Sequence, residues 1–291
     1  YLERTRLWAL ALEALGVGKG DTVGIIGDSR PDWFAAAIAT HALGAMSLGL
    51  YQDALDAEVS YLLAFAGAGA VVAEDEEQVD KILPSTASTP SITRIVYCDP
   101  RGMRKYDDPR LVSRDELLEA ARKAHAANPA AWDALVDATS GEDTALLCST
   151  SGTTTHPKLV SIPSGRFLRH AAIYCGLAEL GPDDEYVSIL PVAWVVEQFQ
   201  ALYMPLVARI KLNLVESPET AMADLREIAP TFMLLAPRSW EQISANVRAQ
   251  IMDASALKQK VYDASLARAI RAVEKGGRSS LAQALVLRAL R

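Results

Sequence analysis

Short, almost wholly apolar runs alternate along this chain with longer segments whose apolar positions recur every three or four residues. The first kind suits strands buried on both faces, and the second suits helices with one buried stripe. Thr22–Gly27 reads as a strand. In Asp28-Ser-Arg-Pro31 after it, Ser29 can cap a helix and Pro31 can open its first turn. A buried helix over 32–43 follows, and beyond Gly44 an inner strand near Ala45–Leu48. Further strands are expected at Ala70–Ala73, Arg94–Cys98, Thr144–Cys148, Tyr186–Leu190, Ile210–Val215 and Thr231–Leu235. Helical patterns cover 2–14, 56–66, 114–126, 165–178, 195–207, 219–228 and 239–253. Strand and helix alternating throughout predict an α/β fold, layered sheets covered by helices.

The stretches 100–114 and 128–143, rich in Pro, Asp, Gly and charge, read as surface connections. Three portions are expected: 1–143, a first α/β portion; 144–253, which carries the candidate chemistry; and 254–291, helical and basic. That basic run reads as a solvated helix face and is also the segment suited to peripheral contact with a membrane surface. The chain opens without Met and stops inside the amphipathic pattern Leu281–Leu290, which reads as a piece truncated at both ends. Trp33–Gln52 is uncharged and long enough to span a bilayer, but His41, two glycines and several alanines make a buried helix and strand the better reading.

Composition narrows the function classes. With 36 acidic residues against 29 Lys and Arg and a net charge of −7, the chain is no dedicated nucleic-acid binder. Half of its 291 residues are hydrophobic, which excludes intrinsic disorder. Cys98, Cys148 and Cys175 are odd in number and widely spaced, and the histidines at 41, 125, 156 and 170 make no ligand cluster, so a reducing, cytoplasmic setting without structural zinc is expected.

One segment concentrates chemistry. Cys148-Ser-Thr-Ser-Gly-Thr-Thr-Thr-His-Pro-Lys-Leu159 places six hydroxyl residues after Cys148, one Gly and one Lys directly behind an expected strand. Hydroxyls and exposed backbone N–H groups can hold phosphate oxygens, Gly152 permits close backbone approach, and Lys158 adds a compact charge. A nucleotide polyphosphate is the ligand this set suits; a merely polar surface loop is the alternative. Gly16-Val-Gly-Lys-Gly-Asp-Thr22 is like a Walker A loop only superficially. A helix precedes it and a strand follows, the reverse of a P-loop, so it reads as a helix-ending turn with Gly16 at the C-cap.

Thr150-Ser-Gly-Thr-Thr154 with Pro157-Lys158 resembles the Thr-Ser-Gly-Thr-Thr-Gly-x-Pro-Lys-Gly phosphate loop of adenylate-forming enzymes. Gly18-Lys-Gly-Asp-Thr-Val23, Leu190-Pro191 with Glu197, and Pro230-Thr231 leading to Pro237-Arg-Ser-Trp-Glu241 extend the likeness toward the long-chain fatty acyl-CoA synthetase branch, over nearly the whole chain. The resemblance implies the N-terminal part of that family's large domain. It implies ATP-dependent activation of a fatty acid to an acyl-adenylate, then transfer to coenzyme A, with Mg²⁺ accompanying ATP. It also implies that Ser151, Gly152, Thr153 and Thr154 hold the β- and γ-phosphates, that Thr150 helps place the metal, and that Lys158 lies by the pyrophosphate leaving group as the catalytic cation.

Leu190-Pro-Val-Ala-Trp-Val-Val-Glu-Gln198 resembles the family's acyl-pocket motif, which makes Trp194 and Glu197 pocket residues; Trp194 stands where His is usual. Thr155 and Leu159 replace two of the motif's glycines. The family's adenine, ribose and acidic Mg²⁺ residues would fall beyond Arg291. The fragment alone is expected to be inactive. A non-adenylating homologue that keeps the fold, or adenylation of a different carboxylate, is the alternative.

Overall fold

In the computed structural model the described residues are 1–84, 89–150, 157–282 and 284. They divide into two compact units, Tyr1–Ala221 and Met222–Arg291. The first is built on a seven-stranded sheet in the order β5-β4-β3-β1-β2-β6-β7. Its strands are β1 (Thr22–Ile26), β2 (Met46–Leu50), β3 (Ala68–Ala73), β4 (Arg94–Tyr97), β5 (Leu111–Ser113), β6 (Thr144–Thr150) and β7 (Lys158–Pro163). All neighbours are parallel except β7, which runs antiparallel to β6. Every residue of β1 is buried, as its unbroken apolar run requires of a strand covered on both faces.

The covering helices are α1 (Leu2–Ala14), α2 (Pro31–Ala42), α3 (Asp56–Phe65), α4 (Glu76–Ile82), α5 (Arg114–Ala127), α6 (Ala131–Asp137) and α7 (Ser164–Leu177). α1 ends one residue earlier than read: Leu15, not Gly16, is the C-cap, and Gly16, at φ 91°, takes the left-handed position after it. The Gly18–Gly20 turn closes on itself, the Gly18 N–H donating to Asp21 at 2.8 Å, while Lys19 is paired with Asp143 at 2.9 Å. That lysine is structural. α2 is Ala-rich because it must lie close between α1 and the sheet; its residues 33–37 are all buried.

A second, two-stranded parallel sheet pairs β8 (Glu185–Ser188) with β9 (Lys211–Leu214). Between them run α8 (Val195–Gln198), one π-helical turn (Phe199–Tyr203) and α9 (Met204–Ala208). The single helix expected over 195–207 is therefore broken by an inserted residue's worth of slack, a feature frequent at functional sites. The second unit carries most of α10 (Ala221–Ile228), α11 (Pro237–Met252), α12 (Ala256–Glu274) and the short α13 (Ser280–Ala282).

Three expectations are corrected. Thr231–Leu235 forms no strand: its residues have the propensity, but a strand exists by pairing, and this run joins no ladder. Ser29 does not cap α2, whose N-cap is Arg30 without a side-chain cap bond. The connection 128–143 contains the helix α6. Among the described residues no helix is long and apolar enough to cross a membrane.

Candidate active site

Because β1, β2 and β6 are parallel, their C-terminal ends lie along one edge of the sheet, where the loops that follow them are free to build a site. β6 reaches that edge at Thr150, and β7 leaves it at Lys158, directly opposite Thr150 in the antiparallel register. The Thr150 hydroxyl donates to the Lys158 carbonyl at 3.4 Å, and both side chains are exposed. The Tyr61 hydroxyl of α3 donates to the Pro157 carbonyl at 3.3 Å and anchors the foot of the hairpin. Thr150 and Lys158 are thus brought together as a pair of posts. Ser151, Gly152, Thr153 and Thr154, and Thr155 with them, lie outside the described residues. Leu159 is an ordinary strand residue opposite Ser149, packed against the main core, so the Gly of the related motif has a strand residue in its place here.

On the same edge a cavity of about 320 Å³ opens between the loops after β1, β2 and β8. Ser29, Arg30, Tyr51 and Asp53 contribute one side, and Ile189–Ala193 the other. Gly49 of β2 lets the far wall approach: a Cβ there would meet the Ala193 Cα and the Gln198 Nε2 at 3.0 Å. Trp194 is half-buried at the N-cap of α8, its backbone N–H donating to the Pro191 carbonyl at 2.9 Å, and does not itself line the cavity.

Glu197 lies behind that wall, fully buried, with Oε2 accepting from the Tyr186 hydroxyl at 2.6 Å. Burial pushes its carboxyl up to about 7, against the opposing effect of the Ser188 and Tyr186 hydroxyls. Glu197 Oε1, Gln198 Oε1 and Gln200 Oε1 are all buried without a hydrogen-bond partner among the described residues. A cluster of lone acceptors on one π-interrupted helix is unusual in a folded core.

Reading the chain gave Ser29 only a capping role and did not single out Ser188 or Tyr186. The Ser29 hydroxyl is 3.0 Å from that of Ser188. The available signal was position: each serine stands at the C-terminal end of a strand, where parallel sheets place ligands. Asp32 was also missed. It is a buried carboxylate that accepts from Arg4 at 2.7 Å on both oxygens, Arg114 at 2.5 Å and the Trp8 indole at 3.0 Å, and it ties α1, α2 and α5 together. Among the described residues no three His, Cys, Asp or Glu side chains converge as metal ligands would.

A family model described as AMP-binding enzyme matches residues 1–289. The chain belongs to the AMP-binding enzyme family. Among its relatives are the human long-chain-fatty-acid–CoA ligase ACSBG2, 25% identical over 90% of this chain and 39% of that protein, and the peroxisomal long chain acyl-CoA synthetase 7 of Arabidopsis thaliana, 26% identical over 85% of this chain and 35% of that protein. The chain therefore spans between a third and two-fifths of the length of these relatives. The fold matches the A-PCP didomain of a carboxylic acid reductase from Segniliparus rugosus in complex with AMP, at a TM-score of 0.66, 22% identity, 90% of this chain and 40% of that one. It also matches a putative long-chain-fatty-acid CoA ligase from Rhodopseudomonas palustris, at 0.64, 18% identity, 81% of this chain and 56% of that one. These likenesses bear out the expected α/β fold.

Proposed function

We propose that this AMP-binding chain is the N-terminal part of a fatty acid–CoA ligase. The carboxylate of the acid attacks the α-phosphate of ATP, releasing pyrophosphate and leaving an acyl-adenylate; the coenzyme A thiolate then displaces AMP. The observation that carries this reading is the placement of Thr150 and Lys158 as the two feet of one hairpin, on the sheet edge that also opens the 320 Å³ cavity. The hydroxyl-rich segment Ser151–Thr154 would hold the β- and γ-phosphates with its hydroxyls and backbone N–H groups. Lys158 would offset the charge that builds on pyrophosphate as it leaves, the kind of stabilisation that governs phosphoryl-type transfers.

The exposed Thr150 hydroxyl fits a magnesium ion carried in by the triphosphate, since Mg²⁺ keeps most of its waters and asks for only one or two protein oxygens. When bound, the ion neutralises phosphate charge. Thr150's part is to offer one oxygen at the foot of the loop. The acid would enter the cavity, with the apolar run Ile189–Ala193 as its wall and Trp194 and Glu197 completing the pocket from behind. The names of the relatives, which act on long-chain fatty acids, support that substrate class.

The test is palmitate-dependent exchange of labelled pyrophosphate into ATP by the full-length protein that carries this chain. Exchange is expected, and Lys158→Ala should lower its rate by about 10²-fold or more, as the loss of one charge-stabilising group does elsewhere. Absence of exchange with medium- and long-chain acids, from folded protein that binds ATP, would move the reading to a different carboxylate or a non-adenylating homologue.

A further inference from the structure

The order of the large sheet opens a second crevice on the edge that carries the candidate active site. The chain leaves β1 for β2 on one side and comes back to β3 on the other, so β1 and β3 are parallel neighbours. The helices that follow them pack separately, α2 against α1 and α4 against α3, and the two connecting loops diverge. Ligands of parallel sheets gather where strand order reverses in this way. A cavity of about 840 Å³ stands there, over the ends of β1, β3 and β4, and shares Gly27, Asp28 and Arg30 with the 320 Å³ cavity. Gly27 takes φ 147°, and a Cβ on it would lie 2.6 Å from the Glu74 Cβ, so the loop after β1 can pass the loop after β3 only as glycine.

Two buried polar groups at this cavity have no partner. Gln78, 4% exposed, and Trp33, 3% exposed, both line it, and neither Gln78 Oε1 nor the Trp33 indole N–H makes a hydrogen bond among the described residues. An orphan acceptor and an orphan donor in one packed wall cost stability unless something meets them. The Gln78 amide turns on a soft torsion, so its oxygen can follow a ligand. Charge gives that ligand its sign. The arginines at the cavity are all engaged, Arg4 and Arg114 with Asp32, Arg30 with Glu74 and Arg101 with Asp99, and Lys81 close by is paired with Glu77. Asp28, Asp53 and Asp75 line the cavity with no ion pair among the described residues. Burial pushes the Asp75 carboxyl up against the bond it accepts from the Gln78 backbone N–H at 3.1 Å, and the charges of Glu74, Glu77 and Asp99 add to the rise. An uncompensated negative field of this kind draws a cation and repels phosphate.

We propose that this crevice is a second ligand site, for a hydroxyl-bearing primary amine such as an amino sugar, whichever carboxylate the chain activates. An ammonium group has three donors and no acceptor. It would donate to Gln78 Oε1 and to the Asp28 and Asp75 carboxylates, and a hydroxyl oxygen of the same ligand would accept from the Trp33 N–H. Both orphan groups are thereby satisfied and the surplus negative charge is neutralised. The volume suits a compact ligand, since small-molecule sites enclose roughly 300–1,000 Å³.

The test is calorimetric titration of glucosamine into the full-length protein in about 150 mM salt, which screens loose attraction to a chain of net charge −7. Saturable binding is expected, with glucose, which lacks the charge, and cyclohexylamine, which lacks the hydroxyls, each bound about tenfold or more weakly. Gln78→Leu removes the orphan acceptor and keeps a side chain of similar size, while Asp75→Asn removes a charge and still caps α4. Each variant should bind glucosamine about tenfold more weakly, with the urea midpoint unchanged for Asp75→Asn and unchanged or raised for Gln78→Leu. No saturable binding of glucosamine, equal affinity for glucose or cyclohexylamine, or wild-type affinity in both folded variants overturns the proposal.

Discussion

Asp32→Ala tests the tie that holds the helical layer in place. The Asp32 side chain is 8% exposed, and it accepts from three donors on two other helices. Trp8 is fully buried, and without Asp32 its indole N–H loses its acceptor, which costs about 1–3 kcal/mol. The Arg114 guanidinium, 22% exposed, keeps Asp115 as a partner, so breaking its pair falls below the 3–5 kcal/mol of a fully buried ion pair. Arg4, at 44% exposure, is screened and adds little. The total is about 3–4 kcal/mol, and an isosteric Asp32→Asn, which still accepts one bond, should lose about half of that.

The assay is urea unfolding, in which a slope of about 2–3 kcal/mol per molar turns this loss into a midpoint lowered by about 1–2 M. Acid supplies the control. Burial pushes the Asp32 carboxyl up, but its bonds from Arg4, Trp8 and Arg114 outweigh that and hold it below 3.8. Its contribution is therefore present above pH 3.8 and is lost as pH falls through the folded value, so wild type and Asp32→Ala should converge in strong acid. A loss under about 1 kcal/mol at pH 7, or an Asn variant as weak as the Ala variant, would refute this account of the tie.

Gly49→Ala should cost about 1–3 kcal/mol in the same assay, because the new methyl meets the Ala193 backbone at 3.0 Å and the Trp33 ring at 3.2 Å; an unchanged midpoint would mean that the cavity wall moves freely. His41 lies between the Ser47 hydroxyl at 2.8 Å and the Tyr203 hydroxyl at 3.3 Å, and burial pulls it down to about 3. Its share of stability is present above pH 6.5 and is lost as pH falls through about 3, so His41→Gln should flatten the acid limb of a stability–pH curve by up to about 1.4 kcal/mol per unit; parallel curves would contradict a neutral, half-buried His41.

Most of the parallel sheet was legible in the residues. A strand covered on both faces is apolar nearly throughout, as β1 and β3 are, and β4 is apolar and buried at Ile95 and Val96 between Arg94 and Tyr97. The strands β5 and β7 were not, since Leu111–Ser113 is too short to show a period and Lys158–Pro163 alternates only weakly. Of the site, Thr150 and Lys158 were legible as residue types suited to phosphate, and Trp194 and Glu197 by resemblance. Their spatial relation was not, because eight positions of sequence separate the first two, and only antiparallel pairing sets them opposite one another.

The sequence by itself determined what depends on local pattern: the α/β alternation, the Gly16 stop to α1, the Pro31 start to α2 and a hydroxyl-rich segment behind a strand. Tertiary structure decided what depends on neighbours far along the chain. Thr231–Leu235, with strand-like residues, joins no strand ladder among the described residues. Ser29, with a capping residue's chemistry, instead meets Ser188, 159 positions away. Glu197 has the same carboxyl as any exposed glutamate, and its displacement to about 7 comes from desolvation among packed elements, a property of the assembled fold and not of the residue.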